Sequence, residues 1–524
     1  MGPFKGPLPR RDLFRTAFLA GIGAAVGPAL RYSAVPGVLG AENASQIDIV
    51  VSTYFGTLDF RKLTDFNDWR VATLVYSALV RNNDQFHPIP DLAERWETDD
   101  TKYVFHLRQA KFHDGTNVSS DDVKATFDKV LDPSFGAPNR PLFAAIQSVE
   151  APDPRTVIMR LSAPSPALMA FLPWVGIVPK HYADQHPELI ATNPIGSGPY
   201  KFASTIAQNL TVLEAFDDYW GGRPPFRRLQ YRIVPDATTR TVEVQSGNAD
   251  MATEVAFSDV SAVMRDPKLY TVQVPPNGFN YLGLNLQNPV LADLKVRQAI
   301  AYAIDRDAIN KAVYYGLAQK AISPVIPTSW GFDPRVTTYT YDPGKAKQLL
   351  AAAGHANGVA VKLTCPNSQE YSQIGTIMKQ QLGAVGINVD LNPQEFTVLV
   401  SQVIKGQIGD LLLGFGWGQQ MDPEQHMYRQ FLSTNEPPHG YNFVHYNNAE
   451  LDKALNDANS TLDTGRRKAL LGRAQEILTR DIPYIYLFNV PEYWAISTRV
   501  AGVTAPAPMD RRFLQLAMRA KRVS

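Results

Sequence analysis

The 524-residue sequence has little cysteine, no excess of either charge and, beyond residue 44, no apolar run of about 18 residues. Cys365 is the only cysteine, so the chain cannot form an internal disulfide and its stability must come from burial of an apolar core. Lys and Arg number 51 against 50 Asp and Glu, which excludes a strong positive field for nucleic acid or an anionic membrane. Because 45% of the residues are hydrophobic, a disordered chain is also excluded. A folded globular protein of roughly two to four domains remains.

The sequence also lacks the motifs of common enzyme classes. Residues 344–346 do not have the glycine spacing of a phosphate-binding loop, and residues 414–418 miss the third glycine of a dinucleotide fingerprint. The nine histidines form no metal-binding pattern, and structural roles are expected for His106 and His113. Ser197 lies between glycines without the spacing of a nucleophile elbow, so a tight turn is expected there. We predict no catalytic residue, metal site or cofactor, although carboxylate catalysis stays open.

The first 44 residues differ in composition from the rest of the chain. They contain five basic and two acidic residues, and the run 16–30 is apolar and rich in glycine and alanine. This run is shorter than the about 20 residues that a membrane-spanning helix needs. Arg10 and Arg11 precede it, and this order resembles a twin-arginine export signal. We predict export of the folded protein and cleavage near residues 41–44, with an amphipathic surface helix or a membrane anchor as the alternative.

The mature chain is expected to be free in solution. Cys365 lies far from the predicted cleavage site, so no cysteine is available there to carry a lipid anchor. An exported protein without an anchor stays with its cell only when an outer membrane retains it. We therefore predict a periplasmic location, and secretion to the medium is the alternative.

Strand and helix patterns alternate along the mature chain, which predicts an α/β fold with parallel or mixed sheets. Apolar residues alternate with others at 103–108, and Ser119 or Ser120 can cap the helix that follows. This segment is predicted to form a strand, a turn and a helix.

A βαβ unit is predicted in the second half of the chain, with strands at 361–365 and 387–391 around one helix. The continuous apolar run 411–415 is typical of a parallel strand buried on both faces. Trp417 would follow at the carboxyl end of that strand. In open α/β sheets, ligands bind at this end.

Several segments with highly specific sequences follow one another in a fixed order: residues 84–97, 103–108, 111–115, 121–123, 193–200, 245–250 and 296–305. They resemble the signature of the family 5 extracellular solute-binding proteins, the receptors of peptide and nickel ABC importers. The resemblance covers nearly the whole mature chain. It implies a bilobal α/β periplasmic-binding-protein fold, similar to type II, with an additional third domain.

Carried onto this sequence, the resemblance implies a division of the chain into these parts: a signal at 1–44, a first lobe at 45–80, 192–275 and 485–524, an extra domain at 81–191 and a second lobe at 276–484. The chain then crosses between the lobes more than once, so small dihedral changes at a few residues let the lobes close around a ligand. The implied partners are a small-molecule or peptide ligand and the transmembrane subunits of an ABC permease. A monomer is expected.

The strongest binding landmark of the family lies at residues 416–423. Trp417 is predicted to form an apolar wall of the cleft, with an ordinary core position as the alternative. In similar peptide receptors, an aspartate three residues after the tryptophan holds the peptide amino terminus. Gln420 occupies that place here, and a neutral amide cannot supply the full charge-assisted bond to an ammonium group. Asp422 either replaces this anchor or caps the next helix.

The other predicted ligand-binding residues are Tyr54, Asn280, Tyr281 and Tyr441. Each carries an aromatic or amide group that is able to pack against a neutral ligand and orient it. Each could equally pack inside a lobe.

The function implied is that of a periplasmic substrate-binding protein of an ABC importer. An oligopeptide is the expected solute, and a nickel chelate or an oligosaccharide is the alternative because Gln420 removes the amino-terminal anchor. Two hypotheses from other classes stay open. One is an exported hydrolase that uses cleft carboxylates such as Asp422, and the other is a ligand-binding sensor or chaperone.

Overall fold

The structure is a computed structural model, which describes residues 45–53, 55–63, 66–83, 85–206, 209–414, 422–438, 440–503, 518 and 521–523. All of these residues belong to one compact unit, Asn43–Ser524. None of the described helices combines the length and the apolar composition that a membrane crossing requires.

The described residues form these strands: β1 (Gln46–Val51), β2 (Val80–Asn82), β3 (Pro88–Pro90), β4 (Ala93–Asp99), β5 (Lys102–Leu107), β6 (Ile146–Asp153), β7 (Thr156–Leu161), β8 (Tyr200–Ile206), β9 (Leu210–Ala215), β10 (Arg228–Ile233), β11 (Met251–Ala252), β12 (Leu269–Val274), β13 (Asn280–Leu284), β14 (Gln319–Lys320), β15 (Val359–Pro366), β16 (Ile387–Gln394), β17 (Leu411–Gly414), β18 (Tyr484–Asn489), β19 (Glu492–Ser497), β20 (Val500–Ala501) and β21 (Lys521–Arg522).

The α-helices are α1 (Phe66–Val75), α2 (Ser120–Leu131), α3 (Leu168–Phe171), α4 (Lys180–Gln185), α5 (Ala237–Gln245), α6 (Phe257–Val263), α7 (Pro289–Ala292), α8 (Leu294–Ala303), α9 (Arg306–Val313), α10 (Pro343–Ala352), α11 (Gln369–Gly383), α12 (Phe396–Ile404), α13 (Glu424–Phe431), α14 (Ala449–Asn459) and α15 (Thr464–Asp481). Short 3-10 helices lie at Phe60–Lys62, Pro133–Phe135, Arg140–Phe143 and Leu172–Trp174.

The first sheet has seven strands in the order β12-β19-β11-β1-β10-β9-β8. Strand β1 is parallel to β10 and β11, and the other pairs are antiparallel. The sheet draws its strands from three separate parts of the chain, 46–51, 200–274 and 492–497. The chain therefore leaves this lobe and returns to it.

The second sheet has six strands in the order β14-β18-β13-β17-β15-β16. Strand β15 is parallel to β16 and to β17, and α11 connects β15 to β16. The predicted βαβ unit and the predicted α/β fold are therefore confirmed. In β17, Leu411 and Leu413 belong to one buried apolar cluster and Leu412 to another, as expected for a strand covered on both faces.

A separate four-stranded antiparallel sheet, in the order β4-β5-β7-β6, packs against α2. The predicted strand at 103–108 is β5, and the predicted helix is α2. Ser119 is the N-cap, and its backbone N–H and hydroxyl both donate to the carboxylate of Asp122, at 2.8 and 2.7 Å. This local hydrogen bonding explains where the helix begins.

Two short connections join the two large sheets, at 275–279 between β12 and β13 and at 490–491 between β18 and β19. Asn489 Nδ2 donates to the carbonyl oxygen of Gly278 at 2.9 Å, so the connections lie side by side. Strand β18 pairs with β13 and β14 in the second sheet. Residue 485, where the tail of the first lobe is expected to begin, lies within β18 of the second sheet.

Candidate ligand-binding site

The candidate site lies where the parallel strands of the second sheet end. Strands β15, β16 and β17 end at Pro366, Gln394 and Gly414. Strand β13 is antiparallel to β17, with Tyr281 opposite Gly414, so the connection from the first lobe enters the second sheet at this same edge. We call it the carboxyl edge of the second sheet. Ligands of open α/β proteins bind at such edges.

Three polar side chains form a hydrogen-bonded chain at the carboxyl edge of the second sheet. Asn280 Nδ2 donates to Tyr314 Oη at 2.8 Å, and Tyr314 Oη donates to Glu370 Oε1 at 2.5 Å. Burial raises the pKa of Glu370, although hydrogen bonds from Tyr314 and Asn280 oppose the rise. Burial also raises the pKa of Tyr314, so its hydroxyl stays a donor at neutral pH.

The first lobe contacts the second at this chain of side chains. Phe257 begins α6, shortly after β11 ends in the first sheet. Its ring lies 5.4 Å from the ring of Tyr314, in an edge-on arrangement, and 6.2 Å from the ring of Tyr493. The Asn280–Tyr314–Glu370 chain therefore lies on the face of the second lobe that meets the first.

A buried ion network occupies the first-lobe end of the connection. Arg70 on α1 is paired with Glu254 at 2.8 Å and with Glu492 at 2.7 Å. Glu492 is the first residue of β19 and accepts a hydrogen bond from Trp494 Nε1. Burial acts to raise the pKa of Glu254, but Arg70, a hydrogen bond from Ser52 and the charge of Arg240 together lower this pKa below its usual value. The network fixes β19 to α1 at the point where the chain re-enters the first lobe.

Glu254 has a backbone conformation that is rare for its residue type. It follows β11 by two residues and has φ +54°. Left-handed backbone at a non-glycine residue costs roughly 1 to 3 kcal/mol and is enriched at functional sites. The pairing with Arg70 compensates for this cost.

Tyr281, predicted to contact the ligand, packs within the second lobe. It is 2% exposed and its ring stacks on Tyr484 with the centroids 4.1 Å apart. The ring lies so close to Gly414 that a Cβ atom there would be 2.2 Å from Tyr281 Cζ. This position agrees with the packing alternative, and a ligand contact by Tyr281 stays a prediction.

Asp422 is buried in an ion cluster. Its carboxylate accepts two hydrogen bonds from Arg467, at 2.6 and 2.8 Å, and Oδ1 also accepts one from the backbone N–H of Glu424 at 2.9 Å. Arg467 also pairs with Glu424 at 2.6 Å, and burial raises the pKa of Glu424 to about 7. Asp422 therefore accepts from the first N–H of α13, whose N-cap residue is Pro423. Its role toward a ligand stays a prediction.

Tyr441 is half-buried in the second lobe. The guanidinium of Arg429 lies 4.5 Å from the centre of its ring, and the ring of Phe443 lies 5.7 Å away. The remaining predicted ligand-binding residues, Tyr54, Trp417 and Gln420, lie outside the described residues.

Sequence reasoning placed Asn280 at the site but missed Tyr314, Glu370, Arg70 and Glu254. Glu370 offered one usable signal, because it follows a predicted strand by a few residues and so had to lie near the carboxyl edge of the second sheet. Arg70 offered another, as the one basic residue of α1, between Trp69 and the apolar residue Val71. Tyr314 and Glu254 had no comparable signal.

No group of three His, Cys, Asp or Glu side chains that could hold a metal ion occurs among the described residues. Ser197 is fully buried, and the bend that contains it packs against the end of α1. Its surroundings therefore differ from the exposed position of a nucleophile elbow.

A protein-family model described as bacterial extracellular solute-binding proteins, family 5, matches residues 87–438. Heme-binding protein A of Haemophilus influenzae is 32% identical over 459 residues, which cover 80% of this chain and 82% of that protein. A putative ABC transporter peptide-binding protein of Brucella ovis is 30% identical over 505 residues, which cover 93% of this chain and 95% of that protein.

Solved structures show the same architecture. The oligopeptide-binding protein AppA of Bacillus subtilis, in complex with a nonapeptide, matches with a TM-score of 0.75 at 25% identity. The match covers 91% of this chain and 99% of that chain.

Proposed function

The chain belongs to the bacterial extracellular solute-binding proteins of family 5, and from this membership we propose that it captures an oligopeptide between its lobes and delivers it to an ABC permease. The observation that supports this most directly is the pair of adjacent connections at 275–279 and 490–491. Two bodies joined at one narrow place move by dihedral changes in a few residues.

The proposed lobes follow the two large sheets. The first lobe contains residues 45–80, 192–275 and the tail from 490, and the second contains 276–489, with an extra domain at 81–191. The tail begins at 490 because β18 pairs within the second sheet. Closure signals to a permease only when the ligand binds the closed form more tightly than the open form.

Peptide is the proposed ligand because the Brucella relative is named as peptide-binding and the Bacillus structure holds a nonapeptide. The Haemophilus relative is named for heme, so family membership alone does not fix the ligand. A nickel chelate or an oligosaccharide is the second candidate, since Gln420 stands where similar peptide receptors have an aspartate.

We propose that the protein acts in the periplasm, without a membrane anchor, after export by the twin-arginine signal of residues 1–44. The order of its charged, apolar and small residues supports this proposal. We also propose that the solute is bound without chemical change. The family match supports binding over the hydrolase hypothesis.

The experiment is a titration of the purified mature protein with short peptides, a nickel–histidine chelate, heme and an oligosaccharide. Tryptophan fluorescence reports binding, and native mass spectrometry gives the mass of the bound solute. We expect a peptide to bind one to one with its mass unchanged. A cleaved peptide would support the hydrolase hypothesis instead, and no binding across the panel would remove the receptor function.

A further inference from the structure

We infer that Glu370 is the group that receives a cationic part of the ligand, which for a peptide is its terminal ammonium. This inference rests on the proposed function and makes it more specific. It concerns a residue outside the 416–423 segment, where the amino-terminal anchor of similar receptors would be expected.

Glu370 lies at the edge of the second sheet where a ligand between the lobes would bind. Glu370 lies in the first turn of α11, directly after β15 reaches the carboxyl edge of the second sheet. The residue as a whole is half-buried. Through Tyr314 it is one side chain away from Phe257 of the first lobe. A ligand held between the lobes at this edge would therefore lie within reach of Glu370.

The carboxylate of Glu370 differs from two other buried glutamates in its charge partners. Glu254 and Glu424 are also partly or fully buried, and each is paired with a buried arginine, Arg70 or Arg467. Within the part of the chain that the structure describes, no lysine, arginine or histidine pairs with Glu370. A carboxylate withdrawn from water without a counter-charge is costly, and a cation that arrives with the ligand removes that cost.

Hydrogen bonds orient the carboxylate of Glu370. The Tyr314 hydroxyl holds Oε1 at 2.5 Å, and Asn280 in turn holds that hydroxyl at 2.8 Å. Both donors are buried, so the carboxylate is fixed before a ligand arrives and loses little freedom on binding. The site therefore combines a fixed acceptor with a carboxylate that has no cationic partner among the described residues, which suits an ammonium or guanidinium group.

The test compares two probes, trialanine and N-acetyl-trialanine, on the wild-type protein and on Glu370→Gln. We expect the wild type to prefer the free amine by about 10- to 100-fold, the size of a hydrogen bond between charged groups. In Glu370→Gln the preference should vanish, because the amide carries no charge. This variant should fold, since its amide oxygen can still accept from Tyr314.

Two further variants complete the design. Glu370→Asp keeps the charge on a shorter side chain and should retain part of the preference. Glu450→Gln removes the charge of an exposed glutamate in α14 of the same lobe, which pairs with Arg473, and should change neither affinity. Thermal melting of each variant checks that it is folded.

The outcomes separate this inference from the proposed function. If Glu370→Gln keeps the preference for the free amine, or if the wild type binds both peptides equally, Glu370 is not the anchor and the peptide-receptor function still stands. If the wild type binds neither peptide, the peptide-receptor function fails and the role of Glu370 falls with it.

Discussion

Acidic residues of the second lobe differ in the groups that donate hydrogen bonds to their carboxylates. Glu370 has two neutral donors, whereas Asp422 and Glu424 share the guanidinium of Arg467 in the interior of the second lobe. The first arrangement leaves a place for a cation and the second does not. The same residue type therefore serves binding in one place and structure in another.

The structural role of the Asp422 cluster is testable with Arg467→Met. This change leaves two buried carboxylates without a counter-charge, and we expect the free energy of unfolding to fall by about 3 to 5 kcal/mol. Urea denaturation followed by circular dichroism measures the loss.

Arg335→Met is the matched control for this variant. Arg335 pairs with Asp333 at 2.7 Å, but its side chain is 86% exposed, so the loss should be below about 1 kcal/mol. If Arg467→Met kept full stability and lost ligand affinity instead, Asp422 would belong to the ligand site.

Among the individual residues of the candidate site, the sequence predicted some and missed others for physical reasons. Asn280 was predicted because its amide lies near the expected crossover between the lobes, and its contact with a ligand stays a prediction. Glu370 was missed because the lack of a partner cation, as found among the residues that the structure describes, is a three-dimensional property, which depends on where Arg306 and other distant cations point. Arg306, for example, donates to three backbone carbonyl groups and so is engaged elsewhere.

Secondary-structure elements are positioned by close backbone contacts as well as by apolar cores. The bend at residues 196–198 packs against the end of α1, where Gly198 N–H donates to the carbonyl oxygen of Val75 at 2.8 Å. His113 joins the same contact, since its Nε2 lies 3.0 Å from the carbonyl oxygen of Gly198. Burial lowers the pKa of His113 to about 4, so the ring is neutral near pH 7.

Gly196→Ala tests this contact between elements. A Cβ atom at Gly196 would lie 2.1 Å from the carbonyl oxygen of Val75, so α1 or the bend must move. We expect a loss of about 1 to 3 kcal/mol or more, seen as a clear fall in the thermal midpoint.

Gly383→Ala, at the end of α11, is the control for this change. A Cβ atom there has no neighbour within 4 Å, so we expect no loss or a gain of up to about 1 kcal/mol. Equal shifts of the two midpoints would mean that the bend does not position α1.

Helices and strands were predicted best where their own residues determine which of the two structures forms. Alternation and capping predicted β5 and α2, and the apolar run predicted β17. The sequence could not assign the strands near the expected lobe boundary to a sheet, because β18 and β19 are both apolar and are separated by only two residues. Which sheet each strand joins depends on partners more than about 200 residues away, such as β13 for β18, and the local pattern carries no such information.

The whole molecule is organised by the two connections between its lobes. Arg70 holds the start of β19 on the first-lobe side, and Asn489 joins the two connections on the second-lobe side. Both contacts restrict the connections to a short segment. The lobes are therefore expected to move as stiff bodies about residues 275–279 and 490–491.

Small-angle X-ray scattering of the mature protein, alone and saturated with a peptide that it binds, tests this account most directly. Closure of the lobes around the ligand predicts a smaller radius of gyration for the complex than for the free protein. An unchanged radius of gyration at saturation would contradict it, because the ligand would then bind without bringing the two lobes together.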